Sequence, residues 1–327
     1  MGGGGGSGSL FRTYKGGTYS QGGFSKKTFY SKESQKPNDS AEEILNRHIQ
    51  SIRVSSNERL NLNDLKNEIS DSLSQEMRIN RINVIGSTAK NTQIKNQKGN
   101  DIDILIELDE KEHGEWLKQE NGARNCLEKV KRVMQNDPRF KNVEMHVDRN
   151  VVTVEIGNKK ADVIPSFPSN DGGHLIPYTS GQQSWIKTNP KLSSRLFKNL
   201  DKKYDNKLSE LTMEVKSWNQ RNGGLLKSHH IECMTYDYFT NNKSENGENS
   251  RKVNTREFFE RMRWYLKRHV KDPIYRERAD TYLSDENRLK VIANSKKSTK
   301  ILRQAEKEAR NGNEEECTRL YKEFIGE

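Results

Sequence analysis

Two aspartates one residue apart, Asp101 and Asp103, open the run DIDILIEL at residues 101–108. Alternate residues of a strand face the same way, so the two carboxylates share a face with Cα atoms ~6–7 Å apart. Ile102, Ile104, Ile106 and Leu108 take the opposite, core-directed face. Two ionised carboxylates this close repel each other unless a cation lies between them. Mg²⁺ suits such a position because it prefers oxygen ligands and is usually shared between one or two carboxylates and substrate phosphates. Taken alone, the pair reads more readily as an edge strand blunted by charge.

Two further stretches narrow the chemistry. The run IGST, residues 85–88, joins a strand to a helix start. Gly86 permits close backbone approach, and Ser87, with Thr88 behind it, presents donors to an anion such as a triphosphate. The run KKADVIPSF, residues 159–167, offers a third carboxylate, Asp162, just after a hairpin-length turn. If that strand lies beside DIDILIEL, the three carboxylates converge. Such a trio can hold two metal ions, one activating an attacking hydroxyl and one steadying the leaving pyrophosphate. That is the chemistry of nucleotidyl transfer.

The elements that must position these residues follow from periodicity. SAEE at 40–43 reads as a capping box ahead of a helix with the stripe Ile44, Leu45, His48, Ile49, Ile52, and a second helix is expected from about Asn63. Strands are expected at INVIG, DIDILIEL, VEMHVD, VVTVEI and ADVIPSF, with one helix over about 114–135. Beyond Asn189-Pro190 the pattern is helical: about 190–204, 206–221, 225–239, 254–269, and two or three more. Residues 241–254 read as a surface loop, and Trp185, Trp218 and Trp264 as packing residues. The fold class is α+β, a mixed sheet followed by a helical half. The expected division is a flexible Gly/Ser/Lys-rich arm at 1–39, a core at 40–180 and a helical domain at 181–327.

Lys and Arg outnumber Asp and Glu by 57 to 46 in 327 residues, a surplus of +11 that favours polyanionic ligands. Nucleic acid is one such ligand, which the Lys- and Tyr-bearing arm could also meet, although the arm reads more readily as a linker or inert tail. Three widely spaced cysteines suit a reducing compartment, and no stretch has the length of a membrane span or a secretory signal. A cytoplasmic protein without membrane association is expected. His229, His230 and Cys233 in HHIEC look like metal ligands. Positions i, i+1 and i+4 do not all share a helical face, however, and tetrahedral zinc needs four ligands, so no zinc site is expected there.

The order GSTAKNT, DIDILIEL, ADVIPSF resembles the polymerase-beta-type nucleotidyltransferase superfamily. The helical half, in WIKTNPKLSSRLFKNL, EVKSWN, LKSHHIECM, Asp272-Pro273 and the closing NEEECTRLYKEFIGE, resembles the cGAS/DncV-like nucleotidyltransferases (CD-NTases). The resemblance spans about 41–327. It implies a catalytic core packed against a helical domain, with the active site in the cleft between them. It implies Asp101, Asp103 and Asp162 as ligands of two Mg²⁺ ions, with Mn²⁺ as a substitute, and Asp162 as the group assisting deprotonation of the acceptor. Gly86 and Ser87 would bind the donor triphosphate, Lys216 would reach the phosphates from the helical half, and Ser228 would donate to them, with Lys227 a weaker candidate. His229 stands where relatives often carry a base-stacking aromatic. The implied activity is synthesis of a cyclic di- or oligonucleotide second messenger from NTPs such as ATP, acting on a separate effector protein in CBASS-type antiphage defence. The alternatives are an RNA-directed transferase of the CCA-adding or poly(A) type, and a non-catalytic nucleotide or nucleic-acid sensor.

Overall fold

The computed structural model describes residues 40–95, 100–180, 184–241 and 250–327. The arm expected at 1–39 and most of the loop expected at 241–254 lie outside the described residues. The first half comprises α1 (Ser40–Ile52), α2 (Ser56–Ser74), β1 (Ile79–Ile85), α3 (Gly86–Ala89), β2 (Asn100–Leu108), α4 (Glu110–His113) and α5 (Gly122–Asn136). There follow β3 (Glu144–Asp148), β4 (Val151–Ile156), β5 (Lys159–Pro168), β6 (His174–Pro177) and β7 (Trp185–Thr188). The helical half runs through α6 (Pro190–Lys203), α7 (Lys207–Arg221), α8 (Ser228–Asn241), α9 (Arg251–Arg268), α10 (Asp285–Arg310) and α11 (Glu314–Ile325).

The sheet order is β1-β2-β5-β4-β3, with β6 and β7 continuing from β5. Only β2 and β5 run parallel; the other pairings are antiparallel, so the sheet is mixed. One face carries Ile102, Ile104, Ile106, Val152, Val154, Ala161 and Val163, buried under the apolar stripes of α2 and α5. Period-two alternation therefore leaves the odd positions of β2 and the even positions of β5 for the other face. Leu105 and Ile164 on that face bury against Ile176 of β6, so the β6–β7 hairpin covers part of it. A second core, built on Phe258, Phe259, Trp218, Tyr238 and Phe324, holds the helical half together. Ala41, Ile44 and Leu45 of α1 pack into this second core, so the first helix of the chain buries its stripe among the last ones. Among the described residues, no helix is long and apolar enough to cross a membrane.

Several local expectations are corrected. α1 begins at Ser40. A capping box stands at the start of α2, where Ser55 and Glu58 bond reciprocally, and this helix begins at Ser56 and not near Asn63. The helix expected over 114–135 is broken into a short turn at Gly114–Leu117 and α5, which starts at Gly122, where a Cβ would collide with the Trp116 carbonyl. The sequence reading had no counterpart for β6 and β7, and the loop expected to reach residue 254 gives way to helix at Arg251. Trp218 is buried and donates to Ser298 Oγ (2.8 Å), and Trp185 packs edge-on against Phe167. Trp264, by contrast, is 42% exposed with the Arg268 guanidinium 4.2 Å over its ring, so it is no core residue.

Candidate active site

The parallel register of β2 and β5 sets Asp103 directly opposite Asp162 and Asp101 opposite Lys160. Asp101, Asp103 and Asp162 thus share the sheet face away from the α2–α5 core, although their carboxylate oxygens do not all lie within 4.8 Å of one another. Thr153, opposite Asp162 on β4, donates to Asp162 Oδ1 (2.7 Å), and Lys160 Nζ lies 3.2 Å from Oδ2. Burial, followed by the charges of Asp162, Asp101 and Glu232, pushes the Asp103 carboxyl up to about 7, against an opposing pull from Lys160. Burial alone would lower the Lys160 ammonium, but Asp162, Asp101 and Asp103 raise it on balance. Lys160 is a site residue that the sequence reading missed. Its signal was present, since two residues before Asp162 on a strand means the same face.

Gly86 closes this arrangement. Its φ is +65°, and a Cβ at this position would collide with the Asp103 carboxylate. The β1–α3 turn can therefore lie against the acidic face only with glycine here. Ser87, half-buried in α3, follows it. The donor set is all oxygen, one carboxylate is destabilised by its neighbours' charge, and the turn beside it admits no side chain. These residues fit a hard divalent cation.

From Gly86 a cleft of about 920 Å³ opens toward the helical half. Its walls combine cations with aromatic rings: Lys90, Arg149, Lys227 and Arg278 on one account, Tyr178, Tyr275 and Tyr282 on the other. That composition suits phosphates and bases, and apart from Lys227 the sequence reading singled out none of these residues. His229 lines the cleft, and Lys227 extends its ammonium over the Tyr282 ring at 4.8 Å. Ser228 opens α8 between them, exposed.

Lys216 is placed differently from what the sequence suggested. It is 5% exposed, does not line the cleft, and donates to Glu232 Oε1 (2.8 Å) and to Thr92 Oγ1 (3.0 Å). Glu232 Oε2 accepts from Lys90 (2.8 Å), so one buried carboxylate on α8 joins a lysine of α7 to a lysine just after α3. Burial alone would raise Glu232, but the two ammonium groups hold it well below its ordinary value.

The loop from His269 to Leu283 supplies much of the cleft wall and hangs on Asp280. This carboxylate, 1% exposed, meets Arg288 (2.6 Å), His269 (2.6 Å) and Arg278 (3.2 Å). Its pKa stays below the ordinary range, since these three partners outweigh the opposing effect of burial. Replacing Asp280 with asparagine is expected to cost about 3 kcal/mol of stability by leaving cations poorly compensated. Denaturant unfolding checks this, and an unchanged midpoint would show that the loop does not hang on this carboxylate.

Residues 40–200 match the family model for the Second Messenger Oligonucleotide or Dinucleotide Synthetase domain. A probable cyclic nucleotide synthase of Bacillus cereus (strain VD146) is 27% identical over 169 residues, covering 49% of this chain and 48% of that protein. The chain thus matches about half the length of this curated relative. Among solved structures, E. coli MS115-1 CdnC with ATP superposes with TM-score 0.67 at 14% identity, over 88% of this chain and 98% of that one. Vibrio cholerae DncV, a cyclic AMP-GMP synthase in complex with the linear intermediate 5′ pppA(3′,5′)pG, gives TM-score 0.58 at 14% identity, over 82% and 75%. At these identities the superpositions speak for the fold.

Proposed function

We propose, the chain being a member of the cGAS/DncV-like nucleotidyltransferase (CD-NTase) family, that it joins nucleoside triphosphates into a cyclic di- or oligonucleotide and releases pyrophosphate at each step. The observation that carries this reading is the register that sets Asp103 against Asp162 with Asp101 on the same face. Asp101, Asp103 and Asp162 would hold two Mg²⁺ ions, or Mn²⁺ in their place, which when bound neutralise the triphosphate and acidify the attacking hydroxyl.

The chain's own residues do the rest. A ribose hydroxyl oxygen forms a bond to the α-phosphorus as the bond to the β-phosphate oxygen breaks, and its proton passes to the Asp162 carboxylate. Thr153 and Lys160 hold that carboxylate in place. Gly86 and Ser87 receive the donor triphosphate from the sheet side, while Lys90, Lys227 and the Ser228 hydroxyl face its charge from the other. His229 and the cleft tyrosines offer flat surfaces to the bases. Lys216 meets a phosphate only by leaving Glu232; within the described network it acts through Glu232 to fix Lys90. Rate enhancement then comes chiefly from positioning and charge neutralisation. The same reading makes the product a cytoplasmic second messenger for a separate effector protein in CBASS-type antiphage defence.

The test is incubation with all four NTPs and Mg²⁺ and no primer, followed by mass spectrometry. A phosphatase-resistant product built of nucleoside monophosphate units, absent when EDTA is added, is expected. Label appearing only on added tRNA or another RNA would overturn the reading in favour of an RNA-directed transferase. Tight NTP binding without turnover would leave a sensor.

A further inference from the structure

Asp272, on the loop after α9, meets two residues of α8 that stand one helical turn apart. His229 Nε2 lies 3.6 Å from Cys233 Sγ and 3.5 Å from Asp272 Oδ2. All three donor atoms fall within 4.8 Å of one another, and no other such group of His, Cys, Asp and Glu is found among the described residues. The sequence argument against zinc counted His229, His230 and Cys233 together. In the fold His230 turns away to Tyr282, while His229 and Cys233, at i and i+4, share a face and gain a third donor from a distant loop.

The spacing is that of a coordination shell. Ligands about 2.0–2.3 Å from a tetrahedral zinc ion stand roughly 3.3–3.8 Å apart. Asp272 is also prepared as a ligand. Its Oδ1 accepts the backbone N–H groups of Ile274 and Tyr275, each at 2.8 Å, which fixes the carboxylate and leaves Oδ2 toward the other two donors.

Hydrogen bonding alone serves this group poorly. The Nε2 of a neutral ring either accepts from the Cys233 thiol or donates to Asp272, and it cannot do both. A cation at the centre satisfies sulfur, nitrogen and oxygen together. The thiolate-imidazole-carboxylate set selects a borderline-soft ion over Mg²⁺.

We infer that His229, Cys233 and Asp272 form a zinc site at the edge of the nucleotide cleft, with the fourth position taken by water or by an oxygen of a bound nucleotide. Zinc here ties the His269–Leu283 loop to α8 and fixes the ring of His229. The site is chemically separate from the aspartate trio on the sheet.

The experiment uses the full chain, purified without chelator, loaded with Zn²⁺ and desalted. Metal analysis should find about one zinc per chain in the wild type and less than about a tenth of that in Cys233→Ala and Asp272→Asn. Loading with Co²⁺ should produce a thiolate-to-cobalt charge-transfer band that Cys233→Ala abolishes. Asp101→Asn with Asp103→Asn should keep both the zinc and the band. Melting curves establish that each variant is folded; should Cys233→Ala fail to fold, His229→Phe, at an exposed position, supplies the same readouts. Wild-type protein that retains no stoichiometric zinc overturns the inference, as does Cys233→Ala with a full complement. Since metal content and the cobalt band are read without turnover, they stand or fall independently of the proposed synthase activity.

Discussion

Asp103→Asn will abolish product formation, by at least about 10³-fold, while making the metal-free protein more stable at pH 7.5. The two effects share a cause. Asp103 is raised to about 7 from an ordinary 3.8 because it is buried beside Asp162 and Asp101. Between those two values the folded metal-free protein keeps a proton that the unfolded chain has released. Stability therefore falls as pH rises across that window, by an amount on the order of a few kcal/mol when complete. Asparagine carries no charge to desolvate, so the variant should lose this pH dependence and melt higher than wild type above pH 7. Added Mg²⁺ should restore the wild type's stability at pH 7.5 and leave the variant almost unmoved. Thermal melts from pH 5 to 8, with Mg²⁺ and with EDTA, read this directly. Wild-type stability that is flat over that range, or a variant that still turns over, would remove Asp103 from the site.

What the sequence could disclose here depended on how local the signal was. In DIDILIEL the two-residue period and the chemical contrast between Asp and Ile lie within a single strand, so the shared face of Asp101 and Asp103 is readable without a partner. Asp162 could be assigned to a strand, but its alignment with Asp103 is a property of register, which the parallel pairing of β2 and β5 decides. Lys160 was readable by the same two-residue rule, since it stands two positions before Asp162 on the same face. The α1 stripe of Ile44 and Leu45 signalled an amphipathic helix but not its destination, the core around α9 and α11. β6 and β7 are four residues each, short enough for their polar surroundings to mask them. Asp272 meets His229 and Cys233 through a loop whose path is set by Asp280 and Arg288, and nothing in local spacing encodes that meeting.

The same dependence on distant partners governs Glu232, whose replacement by glutamine should be the most damaging single change to stability. Lys90 and Lys216 are each less than a tenth exposed at the side chain, and both end on this carboxylate at 2.8 Å. Glutamine keeps the shape but leaves two ammonium groups buried without a counter-charge, a loss of about 3–5 kcal/mol. Lys216→Met removes one of them, so the double variant Glu232→Gln, Lys216→Met should recover part of that loss, and chemical denaturation around this cycle measures the coupling. The cycle also separates two roles for Lys216. If it serves by anchoring Lys90 through Glu232, Lys216→Met lowers stability and raises KM for NTP together, and Lys90→Met adds little further KM effect once Lys216 is gone. If Lys216 binds phosphate itself, the two substitutions raise KM additively. Additivity would return Lys216 to the direct contact that its place in EVKSWN first suggested, and non-additivity would assign the phosphate-facing charge to Lys90, whose residue already lines the cleft.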